Sequence, residues 1–200
     1  MSELYYESPL ANAAEPRGLA VSLREMPERG MIDLRGELTD KKFVTAAKDV
    51  LGAGLPTKPR TTVSWGDIKV LWLSVDQWLI LCPRGKTAEL LAALREALST
   101  VHALAVDVSD MRAVIRIEGE GCREVLMKGT SLDLLSEEFT SGACRRMRFA
   151  EVAALLDVVD DGIFDIYVFR SYAQYAWEFL TTAAREPAKV KLFGPQAVSV

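Results

Sequence analysis

Apolar residues alternate with polar ones through short segments of this chain, and between those segments they recur at every third or fourth position. Residues 31–35 alternate as a strand. Thr39 then reads as the N-cap of a helix whose Phe43, Val44, Ala47, Val50 and Leu51 share one face, with Gly52 and Gly54 ending it. Two prolines make residues 55–60 a loop. Three strands follow at 61–65, 69–74 and 78–82, separated by turns at Gly66-Asp67 and Asp76-Gln77. Thr87 reads as the cap of a second helix, along which Leu90, Leu91, Leu94 and Leu98 form a stripe.

The same order then recurs. A strand at 103–107 turns at Ser109-Asp110 into a strand at 112–118, and Gly119-Glu120-Gly121 opens a short helix with Cys122, Val125 and Leu126 inward. A loop at 129–142 leads to strands at 144–149, 152–158 and 163–169, the last two joined through Asp160-Asp161-Gly162. Ser171-Tyr172-Ala173-Gln174 fits a capping box, and Tyr172, Tyr175, Ala176, Phe179, Leu180 and Ala183 read as the buried face of the last helix. Met31-Ile-Asp-Leu-Arg-Gly-Glu37 is echoed by Val114-Ile-Arg-Ile-Glu-Gly-Glu120, with glycines 119 − 36 = 83 residues apart. The expected fold is α+β, built from two similar units (strand, helix, three strands, helix) with mainly antiparallel sheets. The units span residues 19–101 and 102–186, flanked by an extended arm at 1–18 and an irregular tail at 187–200.

Composition narrows the function. With 200 residues, 50% of them hydrophobic, the chain can bury a core, and a net charge of −4 argues against nonspecific binding to nucleic acid. Glu3 and Glu7 stand where a secretory signal needs basic residues, and no apolar run approaches the roughly 20 residues of a spanning helix, so a cytoplasmic location is expected. Cys82, Cys122 and Cys144, odd in number and widely spaced, fit reduced thiols.

Candidate chemistry fails motif by motif. Gly85-Lys86-Thr87 follows a strand like the end of a phosphate-binding loop, but Ile80 stands where the first glycine belongs. In Gly119-Glu120-Gly121, Glu124 replaces the third glycine of a dinucleotide site, and Glu118 and Glu120 would repel a pyrophosphate. His102 is the only histidine, which leaves a triad or a tetrahedral zinc site without spacing to build on, and it reads as a helix C-terminal residue. Asp160-Asp161 suits a turn. Arg146 and Arg148 share one strand face while Arg145 takes the other, the pattern of a sheet edge or an anion contact. Trp72, Trp78 and Trp177 read as core or interface anchors. The residues thus offer no catalytic, cofactor-binding or metal site, and Tyr5, Tyr6, Pro9, Leu10 and Trp177 are the candidate contacts to a partner.

The segment DVSDMRAVIRIEGEGCREVLMKGTSLDL, residues 107–134, resembles the folate-binding aminomethyltransferase superfamily. MKGTSLDL at 127–134, FTSGAC at 139–144 and FRSYAQYAWEFL at 169–180, together with Ser8-Pro9-Leu10-Ala11 and MIDLRG, are similar to the sarcosine oxidase gamma-subunit family. The resemblance covers most of the chain. It implies an aminomethyltransferase-type fold and a noncatalytic subunit of a heterotetrameric flavoenzyme. That enzyme oxidatively demethylates sarcosine to glycine and hydrogen peroxide and passes the one-carbon unit to tetrahydrofolate. It further implies alpha, beta and delta subunits as partners, with FAD, FMN, NAD and tetrahydrofolate on those chains and none on this one. The chain departs from the aminomethyltransferase pattern at two places. Phe149-Ala150-Glu151 offers only Glu151 where an acidic pair is usual, so no folate-linked acid carries over, and Thr130-Ser131 replaces Cys-Pro. The alternative is a stand-alone folate-dependent enzyme or folate-binding protein.

Overall fold

The computed structural model describes residues 6–14 and 16–185. The chain runs β1 (Ser22–Glu25), β2 (Arg29–Arg35), α1 (Lys41–Leu51), β3 (Thr62–Trp65), β4 (Ile68–Ser74), β5 (Gln77–Pro83) and α2 (Thr87–Ala97). It repeats as β6 (Leu104–Asp107), β7 (Arg112–Glu118), α3 (Cys122–Met127), β8 (Cys144–Phe149), β9 (Val152–Asp160), β10 (Ile163–Phe169) and α4 (Ala173–Ala183). Two five-stranded sheets result, ordered β3-β4-β5-β2-β6 and β1-β7-β10-β9-β8, with every strand pair antiparallel. The α+β class and the paired units are therefore present, with the strand expected at 103–107 and one that was not expected, β1, each at a sheet edge.

Those edge strands are exchanged. β1 precedes β2 in sequence but pairs with β7, and β6 precedes β7 but pairs with β2. The strand expected at 103–107 thus closes the first sheet, while residues 22–25, expected in the first unit, close the second. Alternation identifies a strand without naming its neighbour, so sequence order misplaced both. The crossings are reciprocal: the Met26 N–H donates to the Val114 carbonyl at 2.9 Å and the Val108 N–H to the Met31 carbonyl at 2.8 Å. Met31 and Val114 are the paired positions of the sequence echo.

Four layers follow from which faces are apolar. α1 and α2 cover one face of the first sheet over Ile32, Phe43, Ile80 and Leu94; α3 and α4 cover the second over Ile115, Leu126, Ile166 and Leu180. The other two faces meet through Met31, Leu79, Leu81, Val114, Leu155 and Tyr167. Trp78 is fully buried, its indole N–H donating to the Pro56 carbonyl at 2.9 Å and its ring 5.7 Å from Phe43.

Several helix ends differ from expectation. Asp40, not Thr39, caps α1, its carboxylate accepting from the Lys42 and Phe43 N–H groups. Thr87 is already inside α2 and turns its hydroxyl toward the Cys82 Sγ at 3.6 Å. A 3-10 turn at Arg170–Tyr172 enters α4 with no side-chain cap, so the Ser171 box does not form. The buried stripe of α4 is Ala173, Ala176, Trp177, Leu180 and Ala183, while Tyr172 and Tyr175 are exposed. The tyrosines' size suggested burial, but the small alanines are what let α4 lie close to its sheet. His102 sits beyond the end of α2, exposed, in a bend.

The two echoed glycines serve different needs. Gly119 holds φ +128°, a backbone conformation open to glycine, whereas a Cβ on Gly36 would lie 2.4 Å from the Phe43 ring. Gly36→Ala should therefore cost about 1–3 kcal/mol, the usual toll of overpacking. A second substitution, Phe43→Leu, should recover part of the loss in a urea-unfolding midpoint, and no recovery would mean that the ring is not the obstacle.

Candidate functional site

The space between the sheets holds charge as well as hydrocarbon. Asp165, fully buried on β10, receives Arg116 from the neighbouring strand β7 at 2.6 and 2.9 Å, and Arg29 from the opposite sheet at 2.7 Å. Arg29 also donates to the Tyr167 hydroxyl at 2.9 Å. Asp157, equally buried on β9, takes the Lys69 ammonium of β4 on both oxygens at 2.7 Å. These contacts tie one sheet to the other. Burial pushes the Asp157 carboxyl up against the opposing pull of Lys69, and burial drives the Tyr167 phenol well above its usual range. Burial works against the Arg29 cation, yet Tyr167 and Asp165 outweigh it and hold its pKa up. Matched partners and neutral phenol give this layer the character of a strut rather than a reaction centre.

The three cysteines are all buried and free. Burial raises the Cys82 thiol and pushes those of Cys122 and Cys144 up to about 12. Thiols at such pKa values are neutral at physiological pH and poor nucleophiles. Among the described residues no group of three or more His, Cys, Asp and Glu side chains stands close enough to hold a metal ion. No described helix is long and apolar enough to cross a membrane.

The remaining sequence candidates fall as follows. Lys86 pairs with Asp67 at 2.6 Å on the surface, and Gly119 and Gly121 pack beside Val21. Asp160 accepts from the Asp161 N–H in a turn, and Asp161 pairs with Arg123. β8 is a sheet edge, as the arginine pattern suggested; Arg145 pairs with Glu138 and Arg148 with Glu151. Together with Arg60, Trp72, Thr130 and Ser131 these arginines line an open cleft of about 250 Å³.

The proposed partner contacts divide. Tyr5 lies outside the described residues. Leu10 and Trp177, 6% and 7% exposed, are taken into the core of the second sheet, where Leu10 pins the N-terminal arm. Tyr6 is exposed, with the Arg84 guanidinium 3.9 Å from its ring centroid, and its hydroxyl donates to the Pro27 carbonyl. Pro9 borders a shallow groove of about 590 Å³ whose other walls include Met111, Phe169, Arg170 and Tyr172. Met111, Phe169 and Tyr172 are all exposed. The sequence reading missed Met111 and Phe169: Phe169 ends a strand that alternates correctly, and only knowing where the opposite sheet stops shows that it is uncovered.

Residues 35–186 match the family described as sarcosine oxidase, gamma subunit. The chain is 28% identical over 169 residues to the sarcosine oxidase subunit gamma of Corynebacterium sp. (strain P-1), covering 83% of this chain and 81% of that one. It is 28% identical over 178 residues to the subunit gamma of strain U-96, covering 87% and 84%. A chain of the heterotetrameric sarcosine oxidase from Corynebacterium sp. U-96, in complex with pyrrole 2-carboxylate, superposes with a TM-score of 0.83 at 25% identity over 94% of this chain and 98% of that one. The glycine cleavage system aminomethyltransferase T of Bartonella henselae shares the fold, with a TM-score of 0.59 at 13% identity, covering 80% of this chain and 45% of the enzyme.

Two measurements test the inter-sheet layer. Asp165→Ala strands two arginines and should cost about 3 kcal/mol by chemical denaturation, the lower end of the range for breaking a buried ion pair; a loss under about 1 kcal/mol would show that the pairs do not tie the sheets. Folded pKa values of Cys122 and Cys144 near 12, against an ordinary 9, mean that their contribution to stability is full below pH 9 and is lost as pH rises toward 12. A disulfide reagent at pH 8 should therefore label none of the three thiols in the native protein and all three in denaturant.

Proposed function

This chain belongs to the sarcosine oxidase gamma subunit family, and on that premise we propose that it serves as the noncatalytic gamma subunit of a heterotetrameric sarcosine oxidase. Its alpha, beta and delta partners carry out the oxidative demethylation of sarcosine to glycine, hydrogen peroxide and a tetrahydrofolate-linked one-carbon unit. FAD, FMN, NAD and tetrahydrofolate belong to those partners, and the assembly works in the cytoplasm. The observation that carries this reading is the near-complete correspondence with a chain of a heterotetrameric oxidase, covering 94% of one and 98% of the other. The alternative of a free-standing aminomethyltransferase-like enzyme is disfavoured by the same measure, since the shared fold accounts for 45% of that enzyme's length.

The subunit's work is mechanical. Two sheets locked by buried ion pairs present a rigid surface, and rigid surfaces lose little entropy on docking. Of the candidate contacts, Tyr6, which is exposed, and Pro9, which borders a groove, stay as partner contacts in this reading, while Leu10 and Trp177 are buried in this chain's own core. A stable interface of about 1,000 Å² or more is expected.

Co-expression with the alpha, beta and delta chains should give a complex from which this chain does not separate, and its omission should lower the recovery or heat resistance of the others. Elution of this chain alone, with a complex that forms and turns over normally without it, would overturn the proposal. Calorimetry of the isolated chain with tetrahydrofolate should show no heat at millimolar ligand; micromolar binding would favour the free-standing alternative.

A further inference from the structure

The internal repeat allows each arginine between the sheets to be compared with its counterpart. In the first half Arg29, Met31 and Asp33 face Pro83, Leu81 and Leu79 across β2 and β5; in the second Arg112, Val114 and Arg116 face Phe169, Tyr167 and Asp165 across β7 and β10. Arg29 and Arg112 are therefore equivalent. Arg29 reaches over to Asp165 and Tyr167. The positions Arg112 would reach by the same symmetry are Leu79 and Leu81, which accept nothing. Its Nε is buried and has no hydrogen-bond partner among the described residues. The guanidinium lies 5.2 Å from the ring centroid of Phe169, which is 38% exposed in the groove beside Pro9 and Tyr172.

Among the described residues no carboxylate hydrogen-bonds the Arg112 guanidinium. Asp33 supports its charge from a distance while accepting from Gln77 at 2.9 and 3.0 Å, and Asp110 holds Arg84. Arg146, close enough to depress Arg112 once burial has done so, is exposed and forms no ion pair among the described residues. Arg170 gives its guanidinium to the Glu7 carbonyl, which leaves its charge uncancelled. Arg112 thus stands against the exposed ring, Arg170 lines the same groove and Arg146 lies near Arg112, on a chain whose net charge is −4.

We propose that the surface around Arg112 and Phe169 is the docking face for an acidic segment of a partner subunit, which brings a carboxylate to the outer edge of the Arg112 guanidinium and an apolar side chain onto Phe169. This rests on the subunit reading above and sharpens it. Charge complementarity selects the partner's chemistry: a segment without acid covers the Arg112 guanidinium without pairing its charge, and a basic one meets Arg146 and Arg170 head on. Phe169, Tyr172 and Met111 supply the aromatic and flexible apolar contacts that concentrate binding energy at interface centres.

The test uses the co-expressed complex and the equilibrium binding of this chain to its partners at low and high salt. Arg112→Ala should weaken binding by about 30-fold or more, as loss of a desolvated charge pair does, and should leave the melting temperature of the free chain unchanged. Phe169→Ser and Arg146→Glu, both on exposed positions, provide readings if Arg112→Ala does not fold; each should weaken binding, and Arg146→Glu should also flatten its salt dependence. Arg24→Ala, which breaks an exposed pair with Glu118, is the control and should bind as wild type. If wild type assembles and the Arg112, Arg146 and Phe169 variants bind equally well, the docking face is wrong while the subunit reading stands. If wild type itself does not assemble, the subunit reading fails. If deleting residues 187–200 lowers the melting temperature of wild type but not of Arg112→Ala, the chain's own tail occupies the site and the proposal is overturned.

Discussion

The exchange of β1 and β6 is the constraint from which the rest of the molecule follows. Each half lends its leading strand to the other, so neither sheet is complete with its own residues. The two reciprocal hydrogen bonds at Met26 and Val108 tie each crossing to the other half, and the sheets meet face to face. The described helices then lie on the outer faces. The inner faces, which an ordinary antiparallel sheet would expose to water, become a second interior.

That interior sets the terms for charge. A carboxylate without a partner between two sheets would cost several kcal/mol, and both Asp157 and Asp165 are met by cations, Lys69 and Arg29 reaching from the opposite sheet and Arg116 from the next strand. The pairs add direction to a contact that leucines alone would leave free to slide. They also break the symmetry of the repeat. One end of the layer carries two acids with three cations, and the equivalent end carries leucines and an arginine. Duplication supplied the geometry of a second strut, and among the described residues its second half has no counterpart.

What the sequence revealed depended on how far apart the interacting residues lie. Elements of four to eleven residues were legible because apolar period is a local property: β7, β10 and α1 fall within a residue or two of expectation. Caps were not. Thr39, Thr87 and Ser171 each have the right chemistry one step from the place where the backbone could use it, and Asp40 won because its carboxylate reaches two N–H groups. The buried face of α4 was misread because tyrosines were weighed by size, while the close approach of helix to sheet selected alanines. The ion pairs join residues 136, 49 and 88 positions apart, a separation that no local pattern encodes. The groove at Phe169 is legible only from the other sheet's boundary.

The exchanged strand also gives the chain a timetable. β1 leaves the ribosome early, but the strand it pairs with ends at Glu118, 118 − 25 = 93 residues after Glu25. At about 5–20 residues per second that is a wait of roughly 5–20 s. β6 finds β2 already made and can close the first sheet at once. Through that interval Ser22–Glu25 is a strand without a sheet, and the nascent chain holds the means of recruiting another copy of its own second half before it has made one.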